Sequence, residues 1–306
     1  MAPATRSSPA RPKGQPLTGL TPYLYLAPAL LALGLFIYYP LLNTVYISFH
    51  EWNLVSAKRT WVGLENYRTL LASPDFRGIL LQSGLYVLLA LVGNFLLPVG
   101  LALLTLQVGE REGEVYQSLL FAPTVVAVSV GSLVWLWFYL PAGGVFNGLL
   151  AQLGLPPQPW LSSSAMALPA VSLVAAWKYL GFHYLIALAG LRAIPREYLE
   201  AARVDGASGL ALLRRVVLPL FGPSALFLFL STVIQSLEYA FIPIEVLTQG
   251  GPFGSTSNLM YAVWQEAFKF FRAGLASAQA VVMIALFAGF ILWQFRLLER
   301  RVGYER

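Results

Sequence analysis

The 306-residue chain contains no cysteine. Disulfides and thiolate metal sites are therefore excluded. Charge is scarce as well. Asp, Glu, Lys and Arg make up 11% of the residues, where a soluble domain carries about 25%. With 58% hydrophobic residues and a mean hydropathy of +0.67, the chain reads as an integral membrane protein. There are two histidines, His50 and His183, too few for a His-rich metal site. The only lysines are Lys13, Lys58, Lys178 and Lys269, and none precedes Ser or Thr. No phosphate-cradling P-loop is possible without that pair. A Gly-x-Ser-x-Gly nucleophile elbow and a His-Glu-x-x-His metal motif are also lacking. Nothing resembles a catalytic constellation, so the chain is expected to be no enzyme, to hold no cofactor or metal, and to borrow any ATP energy from a partner. The net charge of +6 is read as a topology signal in the bilayer rather than as affinity for nucleic acid.

What is present is a series of apolar runs. Residues 1–16 hold four prolines and three cations with almost nothing apolar, and residues 1–20 are expected to form a disordered tail. The run from Tyr23 to Ile47 is too long for a signal-peptide core of about 7–15 residues. It suffices to span a bilayer, which takes about 20. Further spans are expected at about Ile79–Val108, Val115–Leu140, Met166–Ala189, Leu218–Pro243 and Gly274–Phe295. The second contains Pro98, tolerable where a neighbouring helix satisfies the freed carbonyl. Glu110–Glu114 reads as a short polar turn. Residues 141–165 carry no charge but several Gly and Pro. Trp52 and Trp61 suit the membrane–water interface. The expected fold is an all-α integral membrane protein with six transmembrane helices over 21–300, ending in a short tail at 301–306.

Six spans place both termini on one side. That side collects thirteen Lys and Arg, the other six, with Lys178 inside a span. The bias puts both termini and the 190–219 loop in the cytoplasm.

That loop is a polar island. Pro195 suits a helix's first turn, Tyr198, Ala201, Ala202 and Asp205 share one helical face, and Gly206 suits the left-handed residue that ends the helix. Ser208 is placed to cap a second short helix running to Pro219. The bland reading is an ordinary amphipathic loop between spans. However, Glu200-Ala201-Ala202, Gly206, Val216, Leu218 and Pro219 stand at the spacing of the EAA signature, and Asp205, Ala207 and Pro223 extend the match. The stretch resembles that of bacterial ABC importer permeases of the carbohydrate type. Trp61–Tyr67, Leu247–Pro252 with Thr256, and the ending from Gln294 are similar to maltose-type and glycerol-phosphate-type permeases. The resemblance implies that Glu200, Ala201, Ala202, Asp205, Gly206 and Pro219 form a cytoplasmic coupling helix seated on an ATPase subunit. It also implies an ATP-binding subunit dimer, a second homologous permease subunit, an extracytoplasmic solute-binding protein, and a sugar, oligosaccharide or glycerol phosphate as cargo.

Ionisable groups inside spans are costly and are functional candidates by default. Lys178 lies in the fourth span. In the fifth, Gln235, Glu238 and Tyr239 share a face at i, i+3 and i+4, next to Ser236. These five are candidates to line a substrate path. The competing reading is a structural Lys178–Glu238 pair, or polar contacts to a second permease subunit. Asn94 reads as helix–helix glue, and His183 as a packed, satisfied histidine. Two other functions compete: a stand-alone secondary transporter or channel for a small polar solute, and a membrane enzyme. The absence of a visible repeat argues against the first. The absence of an acid–base or metal cluster argues against the second.

Overall fold

The computed structural model of the protein describes residues 21–301. The tail expected at 1–20 and all but Arg301 of the tail expected at 301–306 lie outside the described residues. The elements are α1 (Thr21–Leu33), α2 (Tyr39–Ile47), β1 (His50–Glu51), β2 (Thr60–Trp61), α3 (Glu65–Ala72), α4 (Pro74–Ala90), α5 (Leu97–Thr105), α6 (Glu110–Val125), α7 (Val128–Phe138), α8 (Val145–Gln152), α9 (Ala167–Arg192), α10 (Arg196–Val204), α11 (Gly209–Leu212), α12 (Leu218–Leu247), α13 (Leu259–Trp264) and α14 (Ala273–Arg301). The strands form one antiparallel pair, His50 opposite Trp61. Among the described residues the other regular elements are helices.

The described residues up to Tyr46 form one unit, and those from Ile47 onward a second. The first unit holds the first span, Tyr23–Ile47, as far as Tyr46. The second holds four helices long and apolar enough to cross a membrane: Pro74–Thr105, Ala167–Arg192, Gly209–Leu247 and Ala273–Gln294. A sixth span exists if the pair α6 and α7 crosses as one.

Three of the long helices widen into a π-turn just before a proline: Gly34–Tyr38 before Pro40, Leu91–Leu96 before Pro98 and Leu213–Val217 before Pro219. A proline has no N–H for the i−4 carbonyl and its ring crowds that carbonyl. Passing to wider i→i+5 bonding keeps the neighbouring groups paired. At Pro98 the carbonyl left over is Asn94 O. Thr232 Oγ1 on α12 donates to it at 3.3 Å, so a neighbouring helix supplies the missing bond as expected. Asn94 itself is buried, and its Nδ2 donates to Ala176 O at 3.4 Å.

Two expectations need correction. The third span is not one helix. It starts earlier, at Glu110, where Glu110 and Glu112 meet the positive end of the helix dipole and Glu112 Oε2 accepts from Gly109 N at 3.3 Å. It then breaks at Val126 and Ala127, with the two arms bent by 96°. Pro123 removes one donor from the last turn, and the extended backbone of Val126 (ψ 134°) ends the ladder. Nor does the second short helix after Gly206 stop at Pro219. From Gly209 it runs through the π-turn into α12, and Ser208 makes no side-chain cap. The wider π-turn at Leu213–Val217 accommodates the donor that Pro219 lacks, so Pro219 sits inside the continuous helix.

α9 is the central span. Half of its most apolar stretch is buried, against 22% in Gly209–Leu247. It packs on α5, α6 and α12 and joins two apolar clusters. One contains Tyr86, Val171, Val174, Ala240, Ile244 and Tyr261. The other contains Ala102, Tyr184, Leu188, Leu191, Phe221 and Leu228. Close approach rests on glycine: a Cβ on Gly181 would stand 2.1 Å from Leu120 O, and one on Gly93 would stand 2.6 Å from the Ala176 Cβ.

Coupling loop and polar seam

The first candidate site is α10 with its elbow. Pro195 caps the start (φ −61°, ψ 135°), Glu197 sits in the first turn and Arg203 in the last, so both charges favour the helix dipole. Gly206 takes φ +85°. Gly206 N bonds Arg203 O at 3.0 Å, and Ala207 N bonds Ala202 O at 2.8 Å, which is the paired geometry of a Schellman stop. Leu199 and Ile194 anchor the segment in the second apolar cluster. Glu200, Ala201, Asp205 and Gly206 are exposed, and Ala202 is half-buried. Tyr198, Val204 and Leu210 are exposed too, Val204 at 87%. An apolar group left so open on a polar loop marks a surface another protein can cover. Pro219 is exposed at the start of α12. Beside α10 opens a cleft of about 1350 Å³ that reaches across to the turn before α6. Glu110, Glu114, Arg192, Arg196, Glu200 and Arg203 are among its walls.

The second candidate is a seam of polar and aromatic groups where α9 meets α12. Tyr179 stacks on Tyr239 with centroids 3.5 Å apart and planes 9° off parallel. The Tyr239 hydroxyl bonds Gln235 Oε1, and Gln235 Nε2 donates to Ser231 Oγ at 2.6 Å. Glu238 is exposed, Gln235 half-buried and Tyr239 buried. Thus the fifth span presents a carboxylate and an amide on its outer surface, backed by a tyrosine pair. Ser236 faces inward, and its hydroxyl donates to Val233 O at 2.8 Å. Between Ser236, Tyr239, Asn94 and Ser172 remains a void of about 10 Å³, room for one water at most. His183 is wholly buried, with Nδ1 3.1 Å from Tyr179 O. Its Nε2 has no partner among the described residues, so it is packed but only half satisfied.

Lys178 is near this seam but does not reach Glu238. Among the described residues the two form no ion pair. Lys178 Nζ donates instead to Thr124 O at 2.5 Å and Pro123 O at 3.3 Å, the carbonyls that end α6. Sequence reasoning missed this partner. Its available signal was Pro123, a proline near the end of an apolar run, where a helix can stop and leave its last carbonyls without backbone donors. The Tyr179–Tyr239 stack carried no signal, since only packing brings α9 and α12 together there.

After the C-terminal end of α12, the segment 248–258 is sewn down. Tyr86 Oη donates to Thr256 O at 2.9 Å, Asn258 Nδ2 to Leu237 O at 3.0 Å, and Leu259 N to Ser83 Oγ at 2.9 Å. The tip residue Phe253 is fully exposed. Asn147 similarly clamps the uncharged 141–165 loop, bonding Pro141 O, Gln158 O, Gln158 N and Trp160 Nε1.

The comparisons with known proteins agree with this architecture. Residues 115–304 match the family model described as binding-protein-dependent transport system inner membrane component. An sn-glycerol-3-phosphate transport system permease protein of Brucella abortus is 33% identical over 94% of this chain and 97% of its own length. A sulfoquinovosyl glycerol transport system permease protein of Agrobacterium fabrum is 36% identical over 86% of this chain and 85% of its own. The fold superposes on a chain of a bacterial ABC transporter involved in the import of the acidic polysaccharide alginate, with a TM-score of 0.81 at 23% identity, over 92% of this chain and 95% of that one. The chain belongs to the family of binding-protein-dependent transport system inner membrane components, the permease subunits of ABC importers.

Proposed function

We propose that this permease carries a sugar, oligosaccharide or glycerol phosphate through the membrane, met in mid-span by Gln235, Glu238 and Tyr239 with Ser236 behind them. The observation that carries the reading is the exposed Glu238. A carboxylate in the middle of a span is costly unless it meets water, a substrate or a partner. Here no cation of the described chain lies on it, and the amide and phenol beside it are the groups that bind hydroxyls and stack on sugar rings. The names of the two relatives, both transporters of glycerol derivatives, support the same class of cargo. Energy comes from an ATP-binding subunit dimer that holds ATP and docks on Glu200–Gly206 in the cytoplasm. The open apolar groups Tyr198, Val204 and Leu210 around that helix support such a docking surface. A second, homologous permease subunit completes the path. A solute-binding protein delivers cargo at the outer end, where Phe253 stands clear of the loop 248–258. Both termini lie in the cytoplasm. The test is transport by the assembled complex in vesicles. Tyr239→Ala should lower uptake at least fivefold while the complex still assembles, and wild-type uptake would remove the path.

A further inference from the structure

Three neighbouring residues of α9 each hold one arm of the broken third span. Trp177 lies over α7, its Cζ3 within 3.1 Å of where a Cβ on Gly131 would stand. Lys178 covers the end of α6 through Pro123 O and Thr124 O. Gly181 lets the backbone of α6 at Leu120 and Phe121 come into contact. The link is reciprocal, since Thr124 Oγ1 donates back to Lys178 O at 3.3 Å.

The end of any helix leaves four carbonyls without intrahelical partners and concentrates about half a negative charge. In hydrocarbon no water is at hand to answer them. An ammonium has three donors and a full positive charge, so one lysine answers both needs. The same ammonium lies 5.8 Å from the centroid of the Tyr179 ring, and Tyr179 is the ring stacked on Tyr239.

We infer that Lys178 is a positioning residue: it caps the C-terminal end of α6, holds the 96° elbow of the third span, and through Tyr179 fixes the wall that carries Tyr239 and Glu238. The last step rests on the path proposed above, while the cap does not. Lys178 then stays off the cargo.

The cysteine-free chain makes the test direct. Leu119→Cys and Leu133→Cys, both exposed, place one spin label on each arm of the elbow. In the assembled complex in vesicles, electron double resonance is expected to give one narrow distance distribution. Lys178→Met should at least double its width, and Lys178→Arg, which keeps charge and donors, should restore it. If Lys178→Met does not accumulate in the membrane, Lys178→Gln, neutral and one atom shorter, is read in its place with the same expectation. A narrow distribution in the neutral variant overturns the cap. The second readout is the rate at which Glu238→Cys, in the chain without labels, reacts with an impermeant thiol reagent. Lys178→Met should change that rate at least threefold and Lys178→Arg should not. A broadened elbow with an unchanged rate overturns the link to the path and leaves the cap. Neither readout uses the cargo, so both can fail while the Tyr239→Ala uptake result stands, and the reverse.

Discussion

At the scale of single residues, the structure turns on a few buried polar contacts and close approaches. Asn94 O, freed by Pro98, depends on the Thr232 hydroxyl. An unpaired buried carbonyl costs about 1–3 kcal/mol. Within a bilayer, single interhelical hydrogen bonds average nearer about 0.6 kcal/mol, because a membrane-embedded unfolded chain also finds partners. Thr232→Val keeps the shape and removes the donor. A loss of about 1 kcal/mol is expected in a reversible detergent-unfolding titration, whereas Thr232→Ser should be close to neutral. Gly181 gives a sharper result. A methyl there meets backbone at 2.1 Å, which no rotamer relieves. Gly181→Ala should force α6 off α9 at a cost of about 1–3 kcal/mol, the usual range for overpacking. Gly84, with open space around it, is the control: Gly84→Ala should be neutral or slightly stabilising, by roughly the helix propensity of about 1 kcal/mol. Equal effects at the two positions would contradict the packing described.

At the scale of elements, α10 and its elbow were legible residue by residue. Pro195, Gly206 and the Ala201–Ala202 face each have one conformational preference, and local preferences are what a sequence states directly. The five unbroken spans were legible for the same reason, as length and apolarity decide them. The break in the third span was not. Pro123 alone is compatible with a kinked but continuous helix, as Pro98, Pro223 and Pro243 are within α4–α5 and α12. What separates Pro123 is the donor waiting on another helix, and Lys178 lies 55 residues away. The seam was half legible. The spacing of Gln235, Glu238 and Tyr239 put them on one face, but the inward turn of Ser236 and the stacking of Tyr179 depend on how α9 and α12 meet. The elbow at Gly206 allows a test at this scale. Proline cannot adopt φ +85°, and it lacks the N–H that bonds Arg203 O. Gly206→Pro is expected to leave the protein in the membrane at normal levels and to reduce ATP-driven uptake at least tenfold. Normal uptake would mean that α10 does not transmit the ATPase stroke.

At the scale of the whole molecule, two clefts group the loops. The cleft beside α10 brings 103–117 and 191–217 together. A second cleft brings 51–69 and 271–275 together. The arginine-rich set belongs to the first. In this cysteine-free chain, Ser162→Cys, exposed in the uncharged loop, should react with an impermeant thiol reagent on intact cells. Arg111→Cys, exposed in the first turn of α6, should react only after permeabilisation. The reverse pattern would turn the molecule over and move α10 away from any cytoplasmic ATPase.

The cargo question also belongs to the whole molecule, because it depends on which charges are left free in the path. Lys178 is committed to the carbonyls of Pro123 and Thr124, so among the described residues of the seam the exposed charge is the carboxylate of Glu238. A carboxylate accepts hydrogen bonds from hydroxyls and repels a phosphate at short range. If Glu238 meets the cargo's hydroxyl groups, whether on a sugar ring or on the glycerol end of a phosphate ester, Glu238→Gln weakens a charge-assisted bond worth about 1.5–3 kcal/mol. The expected result is a rise in KM of at least tenfold with the maximal rate little changed. If instead a phosphate passed beside it, removing the negative charge would relieve repulsion and KM would fall. Uptake of maltose and of glycerol-3-phosphate, each measured with the other as competitor in wild-type and Glu238→Gln complexes, separates the two cases by the sign of the change.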